Sequence, residues 1–520
     1  MELLGYAHIA ERFALPAAPL PVTCVLSEAI PNRRSLEKGG SRFEEFGPSY
    51  RPADTTFGHL RFALRYEGLN LQILKLLFDR IGGEEIRSAI LTKSGHGSSA
   101  ARRLGFLYEW LTGQTLDIPE GHFGRRNYVA VLNEKLQFGF QPSTPIRNEK
   151  FRVLNNLPGT AAFCPLVRRT EYLQSMSQKG LAARAASKLA GYDKQLLMRA
   201  ASYLYLKETH SSFEVEREKP TATRAQRFAN LLQGAEAGHP LSMERFVELQ
   251  NAVVEPRFQE ASWRQIQNWL GNDFGYRKNV EFVPPRPEDV YALMEGLIAM
   301  SESLCEAQKM SSPGTGTPPP MDPVVAAASI SFGFVFIHPF LDGNGRLHRY
   351  LIHEQLSIHG FTPKGFILPV SAVILANLDR YQDALVAFSG PIMKRTSYDP
   401  STRDAKATGN DPVYFRYFDA TDQASFLYDA LERTIEKDLD EEISFLIGFD
   451  RAREALHGIS DWPGQSADLF INLVRQNNGH LSATKHKSQF SLLTDEEVAR
   501  YEGIVRRAFD LGIDRNDIAP

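Results

Sequence analysis

Twelve residues near the middle of the chain, His338-Pro339-Phe340-Leu341-Asp342-Gly343-Asn344-Gly345-Arg346-Leu347-His348-Arg349, combine types and spacing suited to phosphate chemistry. A residue before proline disfavours the α region, so the apolar helix-like run ending at Ile337 should stop there and display the His338 imidazole in a loop. Gly343-Asn344-Gly345 offers backbone N–H groups in a tight turn that feeds a helix beginning near Arg346. Free amides and the positive end of a helix together make an anion site. Arg346 and Arg349 stand at i and i+3, which puts both guanidinium groups on one face beside that turn. Asp342 adds a hard oxygen of the kind that holds Mg2+ alongside phosphate oxygens. Phe340 reads as an apolar plug fastening the loop to a core, and His348 as a solvated helix residue.

The run resembles the signature of the Fic (filamentation induced by cAMP) family, His-x-Phe-x-Asp/Glu-Gly-Asn-Gly-Arg-x-x-Arg. His338, Phe340, Asp342, Gly343, Asn344, Gly345, Arg346 and Arg349 meet every specified position. At average residue usage, a chance match in a chain this long is on the order of a few in a hundred million, so the resemblance is not a coincidence of composition. It implies a protein adenylyltransferase, which moves AMP from ATP to a Ser, Thr or Tyr hydroxyl of a target protein. His338 would be the general base, a role that suits an imidazole because its ordinary pKa lies near working pH. Asp342 would hold Mg2+ between the α- and β-phosphates. The amides of Gly343, Asn344 and Gly345, with the Asn344 side chain, would bind the α-phosphate, Arg346 the β-phosphate and Arg349 the γ-phosphate. Catalysis would then be mostly positioning and charge stabilisation, with His338, Asn344 and Arg346 as its core. Two other readings compete: removal of AMP, or transfer of another phosphate-containing group, on the same fold; and a nucleotide- or DNA-binding regulator with a silent core. The intact Gly-Asn-Gly-Arg segment speaks against the first. The joint presence of His338, Asp342 and Arg349 speaks against the second.

The elements that must position these residues are mainly helical. Leu427, Leu431, Ile435, Leu439 and Ile443 recur every four residues, and Thr494-Asp495-Glu496-Glu497 has the form of a capping box opening an amphipathic run. One stretch alternates instead. Gln265 to Leu270 and Val280 to Val283, separated by a turn-rich gap, predict a β-hairpin before a helix starting at Pro287-Glu288-Asp289. Within the resemblance it is similar to the flap 265–283 that aligns the target protein by main-chain pairing, although it could equally pack only on its own domain. Asn377 to Leu385 is similar to the helix near the adenine, with Tyr381 as an ATP-binding candidate or a core aromatic. Family members also carry an inhibitory helix marked Ser/Thr-x-x-x-Glu-Gly/Asn. Ser212 and Glu216 match it ahead of the core, with Arg217 in place of Gly or Asn. The resemblance implies that Glu216 pairs with Arg349 and holds it away from the γ-phosphate. The same residues also read as a solvated charge cluster with Glu214, Glu218 and Lys219.

At 520 residues two or three domains are expected. The reading gives an N-terminal accessory domain over 1–180, a Fic-type core with the inhibitory helix over 181–395, a linker over 396–411 and a C-terminal helical domain over 412–520. The fold class is mainly α, with a small hairpin flap and helical flanking domains. A net charge of −3 argues against nucleic acid or a membrane surface as partner. ATP and a target protein are the expected partners, and the sequence leaves self-association into a homo-oligomer open. Cys24, Cys164 and Cys305 lie far apart without metal-ligand spacing or a disulfide framework, which fits a reducing cytoplasm. The first residues, Met-Glu-Leu-Leu-Gly, do not read as a signal peptide. The Pro-, Gly- and Ser-rich run Ser311 to Pro320 reads as a loop, as does Ser94 to Ser99 ahead of Arg102-Arg103, where a phosphate cradle would need a Walker lysine. Leu481 to Phe509 resembles a degenerate winged helix, but its acidic second helix opposes DNA binding.

Overall fold

The most apolar run of the sequence becomes helix Pro323–Ile337, and every residue from Val324 onward is buried. Asp322 starts it by accepting from the Val324 and Val325 N–H groups, with Pro323 in the first turn, where its missing N–H costs nothing. The computed structural model describes residues 2–509 apart from 39–40, 93–94, 96, 193, 236–237, 274–277, 312–318 and 403–404. Most of the loop expected at 311–320, parts of the 94–99 and 396–411 segments, and the last residues of the C-terminal region therefore lie outside the described residues.

Around this central helix pack Asn344–Ile358, Pro287–Met310 and Thr421–Arg433. Their shared apolar cluster runs from Phe138 to Ile443, so it continues past the 396–411 segment into the helices that follow. Residues 452–505 form a separate cluster under helices Gly464–Gln476, Ala483–Gln489 and Asp495–Ala508. The capping box at Thr494 and Glu497 forms with both of its hydrogen bonds. No strand accompanies these helices among the described residues, so the wing of a winged helix is lacking there.

The chain is mainly α, as its periodicity predicts, but the N-terminal region also contains sheet. Strands Glu2–Leu3, Thr23–Leu26, Ser41–Phe46 and Arg33–Lys38 lie side by side in that order, with helix Gly5–Arg12 against Thr23–Leu26 and Phe62 of helix Thr56–Tyr66 buried with Cys24, Leu26 and Phe46. Thr23–Leu26 pairs parallel to Ser41–Phe46, a long-range register that periodicity does not reveal. Among the described residues no helix is long and apolar enough to cross a membrane.

The hairpin forms five residues later than the alternation suggests. Its strands are Leu270–Asp273 and Lys278–Phe282, antiparallel, with Asn272 opposite Asn279. Residues 265–269 are not strand because their polar side chains are drawn onto neighbouring backbone. Gln267 donates to the Pro284 carbonyl at 3.1 Å and Asn268 to the Phe340 carbonyl at 3.1 Å. A bulge separates Leu270 from Gly271, whose φ of 145° only glycine adopts easily.

Candidate active site

The central helix ends at Ile337, and His338 turns the chain with φ 51° and ψ 60°. A non-glycine residue in this left-handed region is strained and must be held by its surroundings. The His338 Nδ1 lies 3.1 Å from the Val335 carbonyl, which fixes Nδ1 as the protonated nitrogen of the neutral ring and leaves Nε2 to accept a proton. Burial lowers its pKa to about 4, against the upward pull of the Val335 carbonyl, Glu216 and Asp342 and with a further downward push from Arg264. The ring is therefore neutral, and able to act as a base, throughout the neutral range.

Phe340 is fully buried with its ring 5.1 Å from that of Trp263. Asn344 closes the loop over it, accepting from the Phe340 N–H at 3.0 Å and donating to the Phe340 carbonyl at 2.8 Å. The structure thus places the Asn344 amide on the loop backbone rather than out in the anion site. Helix Asn344–Ile358 starts at Gly343, whose φ is 90°. The N–H groups of Asn344 and Gly345 meet no acceptor among the described residues, which is the free-amide arrangement an anion requires.

Both arginines of the motif are buried, each 1% exposed. Arg346 lies under the turn, donating to the Val253 carbonyl at 3.0 Å, Glu218 at 3.1 Å and Asp342 at 2.8 Å. Arg349 points to the end of helix Lys194–Val215. Its Nε donates to the Ser212 hydroxyl and its Nη2 to the Ser212 carbonyl and to Glu216 Oε1, all at 2.8 Å. Its Nη1 is buried without a hydrogen-bond partner. Asp342 Oδ1 accepts from its neighbour Gly343 N–H at 2.6 Å and from Arg346, while its side chain stays 35% exposed. One carboxylate with an open second oxygen, beside free amides and an orphaned guanidinium nitrogen, fits Mg2+ carried in by phosphate.

The structure brings Glu216 directly onto this anion site. A Cβ at Gly345 would lie 2.1 Å from Glu216 Oε1, so the carboxylate rests on the first turn of the helix at a place only glycine leaves open. Burial raises the Glu216 pKa, but pairing with Arg349, then Arg346 and His338, outweighs it and leaves the carboxyl below its usual range. Arg217, which follows, has φ 57°. A left-handed residue just past a helix end is where glycine or asparagine costs least.

His348 is not solvated: it is fully buried, its Nδ1 2.8 Å from the Ser331 carbonyl and its ring 4.6 Å from that of Phe332. The central helix crosses the exposed face that spacing alone assigns to it. Tyr381, on helix Leu378–Met393, stacks on His348 at 6.0 Å with its hydroxyl beside Arg349. Four residues of the site carry no motif signal. Glu218 holds Arg346, Glu260 accepts from the Leu341 N–H at 2.8 Å, Glu208 pairs with His353 at 2.8 Å, and Arg264 reaches the His338 carbonyl at 2.9 Å. Only a map of tertiary contacts could have found them, since each meets the motif, or the helix that continues from it, from a distant segment.

Residues 240–356 match the Fic/DOC family, a span that contains the whole motif. Protein adenylyltransferase fic-1 of Caenorhabditis briggsae is 30% identical over 149 residues, which are 28% of this chain and 25% of that protein. The chain therefore spans about a quarter of the length of this curated relative. A Fic family protein from Desulfovibrio desulfuricans G20 is similar at 16% identity and a TM-score of 0.32, covering 66% of this chain and 85% of that one. A Fic domain containing signaling protein from Bacteroides thetaiotaomicron VPI-5482 shows 21% identity and a TM-score of 0.33, covering 51% and 97%. The family likeness is thus carried by one domain, residues 240–356, which matches the Fic/DOC family.

Proposed function

We propose that the protein is an adenylyltransferase that moves AMP from ATP to a hydroxyl of a target protein, held in check by its own Glu216. The observation that carries this reading is the geometry around Gly345. A carboxylate rests on free helix amides and pairs with a buried arginine, as an anion of ATP would.

Mg2+, when bound, would neutralise phosphate charge and be held by Asp342. The residues of the chain supply the rest. The amides of Asn344 and Gly345 steady charge on the transferring phosphate, while the Asn344 side chain keeps the loop in shape. Arg349, freed from Glu216, takes the terminal phosphate. His338 Nε2 accepts the proton of the incoming hydroxyl as its oxygen attacks the α-phosphorus and pyrophosphate leaves. Tyr381, stacked near Arg349, forms part of the wall toward the nucleotide. The hairpin 270–282 presents the target segment by main-chain pairing, and the reaction takes place in the cytoplasm.

The test compares ATP labelled on the α-phosphate with ATP labelled on the γ-phosphate, using Glu216→Gly. Label from the α position only, abolished by His338→Ala, is expected. Label from the γ position would make the protein a kinase-like relative and overturn the reading.

A further inference from the structure

A buried arginine outside the motif holds the loop that carries His338. Arg264 is 2% exposed, and the carboxylates that act on it, Glu260 and Glu288, do so without forming an ion pair with it among the described residues. Its hydrogen bonds all go to carbonyls: Nε to His338 at 2.9 Å, Nη1 to Ile266 at 3.1 Å and Nη2 to Pro285. Its own N–H donates to the Pro339 carbonyl at 2.8 Å. These acceptors belong to three segments: the loop at the base, the chain entering strand 270–273, and the chain leaving strand 278–282.

Burying an unpaired cation is costly, and an apolar residue would fill the space more cheaply. What the guanidinium adds is a rigid plane of five donors, which lysine cannot reproduce. The residue it grips is also the one that most needs holding, because His338 sits in a strained left-handed conformation. Gln267 and Asn268 repeat the stitch on either side, to Pro284 and Phe340.

Resting on the reading of the site above, we propose that Arg264 is a positioning residue that couples the hairpin to the base, so that His338 and the docked target segment keep one mutual geometry. Arg264 touches neither ATP nor the hydroxyl. It sets the distance between them.

The experiment places Arg264→Gln and Arg264→Lys in the Glu216→Gly protein and measures AMP transfer together with amide hydrogen exchange. Arg264→Gln should lower kcat on the order of 100-fold, the cost of a misplacement of about 1 Å, with the KM for ATP changed by less than about threefold. Arg264→Lys, keeping the charge but not the planar fork, should fall between. In Arg264→Gln, exchange should quicken together in 265–273 and 338–341 and stay unchanged in helix 323–337. A fall in kcat no larger than the fall in folded fraction, or faster exchange in the hairpin alone, would overturn the coupling. If the Glu216→Gly parent transfers no AMP, the functional reading fails, and the exchange pattern alone decides the role of Arg264.

Discussion

At the scale of single residues, the site is set by how two strained positions are held. His338 is kept neutral by burial, with a pKa of about 4. A neutral base needs no deprotonation above that value, so the rate of AMP transfer by Glu216→Gly should stay level from pH 7 to near 5 and fall only below it. An acid limb centred at 6.5 would contradict this. Arg217 is strained at φ 57° immediately beside Glu216. Arg217→Gly should relieve that strain and raise stability by about 1 kcal/mol. It should also tighten the brake, seen as a higher Tm and weaker labelling from α-labelled ATP; a lower Tm would contradict the prediction. The motif residues were legible because their chemistry is local: pre-proline, glycine and helix-start rules act within a few positions. His348 was not, because burial depends on which helix crosses it, and spacing within one helix does not say so.

At the scale of elements, helix Lys194–Val215, proposed above as the brake, is fixed by more than the glutamate at its end. Glu208, Ser212 and Glu216 follow at intervals of four and present one face to Arg349 and His353, themselves four apart. Glu208 is fully buried, accepts from the Ser371 N–H at 2.9 Å and also bonds the Ser371 hydroxyl. Removing a buried carboxylate leaves the donors it held unpaired, at about 1–3 kcal/mol for each. Glu208→Ala should therefore lower denaturation stability by that order and also raise AMP transfer in the otherwise unaltered protein. Destabilisation without any rise in transfer would mean that this pair holds the fold but not the brake. The leucines and isoleucines spaced every four residues from 427 to 443 illustrate what sequence shows at this scale. A strict four-residue repeat overshoots the 3.6 of an α-helix, and the structure absorbs the difference with a π-helical turn at Thr434–Asp438. The hairpin was legible as a hairpin but not in its start, since the polar side chains at 267 and 268 seek carbonyls in other segments.

At the scale of the whole molecule, buried titratable groups make stability depend on pH from both sides. Burial depresses His59, His338 and His359 to about 4 and His348 to about 3. Below the ordinary value of 6.5 the unfolded chain takes up protons that these rings refuse, so stability falls as pH drops toward 4. Burial raises the carboxyls of Glu67 to about 8 and Glu354 to about 7. Their contribution is full at low pH and is lost as pH rises through those values. Tm should therefore peak near pH 6.5 and decline toward both 5 and 8.5; a Tm still climbing at either end would contradict the balance.

The mainly helical character of the chain was readable from apolar periodicity, whereas the N-terminal sheet was not, because its parallel pairing of residues 23–26 with 43–46 is a long-range choice. The central claim joins all three scales: Glu216 fills the anion site that ATP must use. Its most direct measure is the initial rate of labelling from α-labelled ATP by Glu216→Gly relative to the unaltered protein. The account predicts an increase of roughly tenfold or more, the equivalent of about 1.4 kcal/mol released from the Glu216–Arg349 pair. Equal rates would mean that this carboxylate does not restrain the site.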